Sequence, residues 1–189
     1  MMKHRRITFN APVILGFCGI CLLAQVLSML TGGESSRLLF SVYRSSLLSP
    51  LAWLRFVGHV FGHSGWTHLL NNLMYILILG PMLEEKYGGR RTALVILAAA
   101  LVTGVIQFAF FPGTASLGAS GVVFAMILLS SVTGREEGIP VTLILVAALY
   151  LGQQIYDMAT VQGHVNYIAH IAGGIVGGTA GMLMKQRKY

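Results

Sequence analysis

Gly118-Ala119-Ser120-Gly121-Val122-Val123-Phe124-Ala125-Met126-Ile127-Leu128-Leu129 sets a serine between two glycines at the head of an apolar run that continues to Val132. From 118 to 133 the run is 16 residues long, just short of the roughly 17–25 that a helix needs to cross a bilayer. A helix of that length is expected to sit among longer neighbours, with its Ser120 end below the membrane surface. Ser120 has two readings on this stretch alone. Its hydroxyl can cap the first turn, or it can act as a nucleophile, with glycines admitting a substrate backbone and helix N-terminal amides favouring a developing oxyanion.

The wider composition fixes the solvent. Of 189 residues 55% are apolar and 10% are charged, against about 25% charged in an ordinary soluble domain. Six stretches are apolar enough to span, at about 12–30, 66–83, 92–111, 118–133, 139–156 and 167–184. The expected fold is an all-α polytopic bundle of six transmembrane helices, a single domain over 1–189.

A net charge of +7 raises the question of nucleic acid, and the placement of the charges answers it. Lys3, Arg5, Arg6, Lys86, Arg90, Arg91, Arg135, Lys185, Arg187 and Lys188 all fall on one side of a six-span chain, whereas Arg37, Arg44 and Arg55 fall on the other. The positive-inside rule then puts both termini in the cytoplasm, in a cell inner membrane. The basic balance is a topology signal, and no nucleic-acid partner is expected.

The first span is too long for the core of a signal peptide and lacks a clear Ala-x-Ala site, so it is read as retained. Cys18 and Cys21 lie inside it without an adjoining βαβ pattern, which favours apolar packing over redox work. The external loop, 31–65, mixes Leu39, Phe40, Leu47, Leu48, Trp53 and Leu54 with serines and arginines. That mixture suits short helices or turns embedded in the outer leaflet.

Polar residues then cluster where apolar packing does not need them: His59, His63, His68, Asn71 and Asn72. His68 and Asn72, four apart, share a helix face. His59 and His63 sit higher and can stay wet, and the favoured reading of each is structural. At the other end of that span Glu84 and Glu85 oppose the helix dipole, so Arg90 or Arg91 is the expected partner. The sixth span carries His170 above two small-residue series, Gly173-Gly177-Gly181 and Gly174-Gly178, suited to close approach of a second helix; the Gly-rich start of the fourth span is the expected neighbour.

With six alternating spans, the second, fourth and sixth run in the same direction, and His68, Asn72, Ser120 and His170 each lie within about two turns of a start. They converge at one depth. A serine beside a histidine is a nucleophile with its general base, and a nearby Asn and His are donors for an oxyanion hole. Acyl transfer, most naturally peptide hydrolysis, is the chemistry implied. Asp157 stands too far out to orient His170, so the expectation is a dyad, with no cofactor and no metal.

At this point the chain resembles the rhomboid family of intramembrane serine proteases. The likeness covers residues 53–181 and rests on His63-(x)4-His68-(x)3-Asn72, Gly80-(x)3-Glu84, Gly118-Ala119-Ser120-Gly121, and Ala169-His170 with Gly173-(x)3-Gly177. The resemblance implies that Ser120 is the nucleophile, His170 the base, and Asn72 and His68 oxyanion donors alongside the Ser120 N–H, with Gly118 shaping the preceding loop. It implies that 31–65 is the membrane-embedded first loop, in which Arg55 and His59 have counterparts, and that substrates are transmembrane proteins in the bilayer. Phe124 departs from the tyrosine that several members place four residues after the nucleophile. With no soluble domain and no seventh span, the chain is similar to the minimal six-helix bacterial form.

Two competitors stand beside this reading. A non-catalytic relative that binds transmembrane clients would be expected to lack the serine or the histidine, and this chain keeps both. A metal site built from His59, His63, His68 and His170 would want acidic ligands or a His-Glu-x-x-His signature, and neither occurs.

Overall fold

Pro12 and Pro50 each open a helix, because a fixed φ suits the first turn and the missing N–H has no intrahelical acceptor there anyway. A computed structural model describes residues 9–133, 139–160 and 167–186. Its elements are α1 (Pro12–Leu30), α2 (Glu34–Leu39), α3 (Pro50–Gly58), a 3-10 turn at His59–Phe61, α4 (Trp66–Tyr87), α5 (Gly89–Phe110), α6 (Ser120–Ser131), α7 (Val141–Thr160) and α8 (Tyr167–Leu183). Among the described residues the one β-type contact is an isolated antiparallel bridge between Val42 and Ser116.

The limits differ from expectation at the α4–α5 junction. Instead of ending near 83, α4 runs through Pro81 to Tyr87, and α5 starts at Gly89 rather than near 92. Gly88, at φ +85°, reverses the chain in one residue, a backbone conformation glycine adopts without a Cβ clash. The polar Glu84-Glu85-Lys86 segment is thereby helical.

Glu84 does not pair with Arg90 or Arg91. Its carboxylate accepts the Val13 and Ile14 N–H groups, each at 3.0 Å. Those are the second and third residues of α1, whose own N-cap, Ala11, supplies no side-chain acceptor. A carboxylate that opposes the dipole of its own helix thus complements the positive end of another. Arg91 instead donates to the Lys185 carbonyl.

Among the described residues, α1 and α5 are long and apolar enough to cross a membrane by length and composition, and α6, α8 and the stretch 141–153 are shorter apolar helices. Large apolar side chains face outward, including Leu23, Ile78, Leu149, Ile175 and Leu183. Lys3, Arg5, Arg6, Arg135, Arg187 and Lys188, which carry much of the sidedness reading, lie outside the described residues.

The core centres on α6. Val122, Val123, Ala125, Met126, Leu128 and Leu129 are all buried, enclosed by α4, α5, α7 and α8. The closest packing is with α8. A Cβ at Gly173 would run into the Gly121 carbonyl, and one at Gly177 into the Ala125 carbonyl. The two helices meet backbone to backbone, as the small-residue spacing requires. Gly174 points elsewhere, against the ring of Tyr150.

The 31–65 segment folds into α2, α3 and the 3-10 turn. Arg55 is buried within it, its Nε donating to the Leu38 carbonyl at 2.8 Å and its guanidinium lying 4.4 Å from the Tyr43 ring centroid. Cys18 and Cys21 are buried and unbridged.

The Glu84 contacts generate a prediction. Charge-assisted buried hydrogen bonds are each worth about 1.5–3 kcal/mol, so Glu84→Ala should destabilise the fold by roughly 2–4 kcal/mol in denaturant unfolding, and Glu84→Gln by less.

Candidate active site

Ser120 is the first residue of α6, and it does not cap the helix. The N-cap is Ala119, whose carbonyl accepts the Val123 N–H at 2.9 Å, and no side chain caps the turn. The Ser120 hydroxyl turns to α8, where its Oγ lies 2.8 Å from His170 Nε2. His170 occupies the first turn of α8. A neutral imidazole that accepts the serine proton at Nε2 carries its own proton on Nδ1. One turn into α6, the Phe124 ring stands 4.9 Å from the imidazole, tilted by 45°, and Tyr167 meets it edge-on at 6.3 Å. The phenylalanine keeps the ring packing expected of a tyrosine at that position.

On α4, His68 and Asn72 lie one turn apart. The Ser64 N–H reaches His68 Nδ1 at 3.5 Å, and the Ser64 hydroxyl contacts the same nitrogen at 3.1 Å. A backbone N–H can only donate, so Nδ1 is the acceptor and Nε2 carries hydrogen. That N–H borders Gly118: a Cβ built on Gly118 would stand 2.8 Å from Nε2 and 2.7 Å from Cε1. Gly118 also has φ +129°, so both its conformation and its surroundings require glycine. Buried Asn72 donates from Nδ2 to the His68 carbonyl at 3.1 Å, and its amide has a second hydrogen to offer.

Four contacts that sequence reading did not find hold the segment before Ser120. Ser116 exchanges two 2.9 Å backbone hydrogen bonds with Val42. The Gly118 N–H donates to the His59 carbonyl at 2.9 Å, and the Ala119 N–H approaches His63 Nε2 at 3.5 Å. Gln107, buried in α5, donates from Nε2 to the Thr114 carbonyl and hydroxyl, both at 3.0 Å. A glutamine in an apolar helix was the one visible signal.

His59 and His63, which stand high enough to meet water, are instead buried, at 3% and 2% exposure. His59 donates from Nδ1 to the Arg55 carbonyl at 3.1 Å, and its Nε2 meets the Thr103 hydroxyl at 3.2 Å. His63 donates from Nδ1 to the Phe61 carbonyl at 3.2 Å, leaving Nε2 as the acceptor for Ala119. Their nitrogens are committed to the fold, and no group of three or more His, Cys, Asp or Glu among the described residues could hold a metal. Asp157 belongs to α7, but its side chain lies outside the described residues.

The assembled geometry offers a hydroxyl bonded to an imidazole and a glycine-lined approach edged by N–H donors. This is the equipment of acyl transfer. Comparison with known proteins matches residues 50–187 to the model of the Rhomboid domain. Rhomboid-related protein 2 of Mus musculus is 32% identical over 69% of this chain and 47% of its own length. Rhomboid-like protein 11, chloroplastic, of Arabidopsis thaliana is 28% identical over 67% and 50%. Rhomboid protease GlpG of Serratia proteamaculans is 28% identical over 88% and 60%. The chain thus spans about half to three fifths of the length of these relatives.

Burial holds the His59 and His63 imidazoles at about 4, below the ordinary 6.5. The unfolded chain binds their protons from about pH 6.5 downward, whereas the fold resists until about pH 4. Their contribution is thus full above pH 6.5 and lost as pH falls towards 4, up to roughly 3 kcal/mol for each ring. Thermal unfolding midpoints should drop across that window, and His63→Gln should flatten the drop.

Proposed function

The chain belongs to the rhomboid family, and from that premise we propose that it is an intramembrane serine endopeptidase, with Ser120 as nucleophile and His170 as general base. The observation that carries this reading is the 2.8 Å contact between Ser120 Oγ and His170 Nε2, made by residues that head two helices packed at backbone distance. Neither side chain is needed for that packing.

In this reading the chain has six spans, formed by α1, α4, α5, α6, α7 and α8, with both termini cytoplasmic and 31–65 outside, in a cell inner membrane. The substrate is a transmembrane segment of another protein. It unwinds locally, because a helical peptide bond is shielded by its own hydrogen bonds. Ser120 Oγ attacks the exposed carbonyl while His170 Nε2 takes the hydroxyl proton. The oxyanion that forms is held by the Ser120 N–H, His68 Nε2–H and the Asn72 amide. Collapse expels the amine, which receives the proton from His170, and leaves an acyl-Ser120 ester. Water, deprotonated by His170, attacks the ester carbonyl; the bond to Ser120 Oγ breaks, Oγ regains the proton from His170, and the acid leaves.

The support for each donor is local. The His68 N–H borders Gly118, Asn72 sits one turn along the same helix, and the first N–H groups of α6 have no intrahelical acceptor. Absence of a Cβ at Gly118 leaves room for the oxyanion beside them.

Ser120→Ala and His170→Ala should each abolish cleavage of a transmembrane reporter and labelling by a fluorophosphonate probe, without loss of folding. Turnover retained in Ser120→Ala would end the assignment, and folded wild type that neither labels nor cleaves would favour a client-binding role. Asn72→Ala should lower kcat by about 10²–10³, the cost of one oxyanion donor.

A further inference from the structure

The helix α7 turns most of its surface outward. Ile144, Leu145, Leu149, Ile155 and Tyr156 are each more than half exposed, and among its described side chains only Tyr150 is buried, at 8%. Near its start, the Thr142 hydroxyl donates to the Ser131 carbonyl at 2.9 Å. In its middle, the Tyr150 ring packs on Phe124 with centroids 4.3 Å apart and a 37° tilt. Phe124 in turn packs on His170 at 4.9 Å. A second surface fixes the tyrosine ring: its Cε1 lies 3.0 Å from where a Cβ on Gly174 would stand, so the ring rests on bare α8 backbone.

The hydroxyl contributes nothing to this arrangement. It is buried and has no hydrogen-bond partner among the described residues, a net cost to the fold. The value of the residue lies in the faces of its ring.

We propose that Tyr150 is a positioning residue for the dyad, holding Phe124 against His170 so that Nε2 stays in line with Ser120 Oγ. The inference rests on the dyad reading above. Tyr150 acts through Phe124 and does not touch the reacting atoms. Offset aromatic pairs hold their relative orientation, and small misplacement of a catalytic group lowers the rate steeply.

The test is a double-mutant cycle on cleavage of a transmembrane reporter in liposomes, with kcat and KM determined for wild type, Tyr150→Leu, Phe124→Leu and the double variant. Tyr150→Leu should lower kcat about 10- to 100-fold and leave KM within about twofold. In the Phe124→Leu background the same change should cost little more, because the relay is already broken. Tyr150→Phe should restore full turnover and, with the orphan hydroxyl gone, raise Tm by about 2–4 °C. Leu149→Ala, on the outer face of the same helix, should change neither constant.

Losses that add fully in the double variant, a loss confined to KM, or Tyr150→Phe as slow as Tyr150→Leu would each overturn the proposal. Ser120→Ala separates this failure from the larger one. Turnover that survives Ser120→Ala removes the dyad and the relay with it, whereas turnover that needs Ser120 but ignores Tyr150 removes the relay alone.

Discussion

The rest of the structure depends on the contact between the backbones of α6 and α8. The Gly121 and Ala125 carbonyls press on Gly173 and Gly177, at positions where any Cβ would collide. Four residues separate each pair, one turn of helix, so the two axes stay close over at least two turns. Ser120 sits just before the first contact and His170 just before its counterpart. Their juxtaposition follows from the seam below them.

The seam fixes two helices but not the loop that leads into one of them. That loop must keep Gly118 at φ +129°, and its polar backbone needs partners away from water. The 31–65 segment supplies them. The His59 carbonyl, the His63 ring and the Val42 backbone all bond to residues 116–119. A segment that resembles an external linker by position is thus part of the scaffold, and its own anchor is Arg55, buried with its Nε on the Leu38 carbonyl.

Where a physical rule acts along one helix, the sequence was legible. The glycine interval of four announced close approach, and the seam lies on the 173-177-181 series. The polar residues at the heads of three apolar runs pointed to a candidate site, and Ser120 and His170 do meet. Where a rule acts between distant segments, reading failed. Glu84 was assigned a basic partner nearby in sequence, because helix N–H donors some seventy residues away leave no local trace. The partners of His59 and His63 leave no local trace for the same reason: Thr103 and Ala119, which take up their nitrogens, belong to other elements. The role of Gly174 was likewise hidden, since spacing alone does not say which of two adjacent glycine series faces which neighbour.

Where the Gly121 and Ala125 carbonyls meet Gly173 and Gly177, the seam has no rotatable side chain within it. Its width is set by covalent geometry and van der Waals radii, not by rotamer populations that broaden with heat. Glycine gives up more conformational freedom on folding than any other residue, so the entropic cost of aligning the two helices falls on the folding step. The spacing of the two helix heads is then inherited as a fixed gauge, and only the rotamers of the hydroxyl and the imidazole remain to be set by the side chains around them.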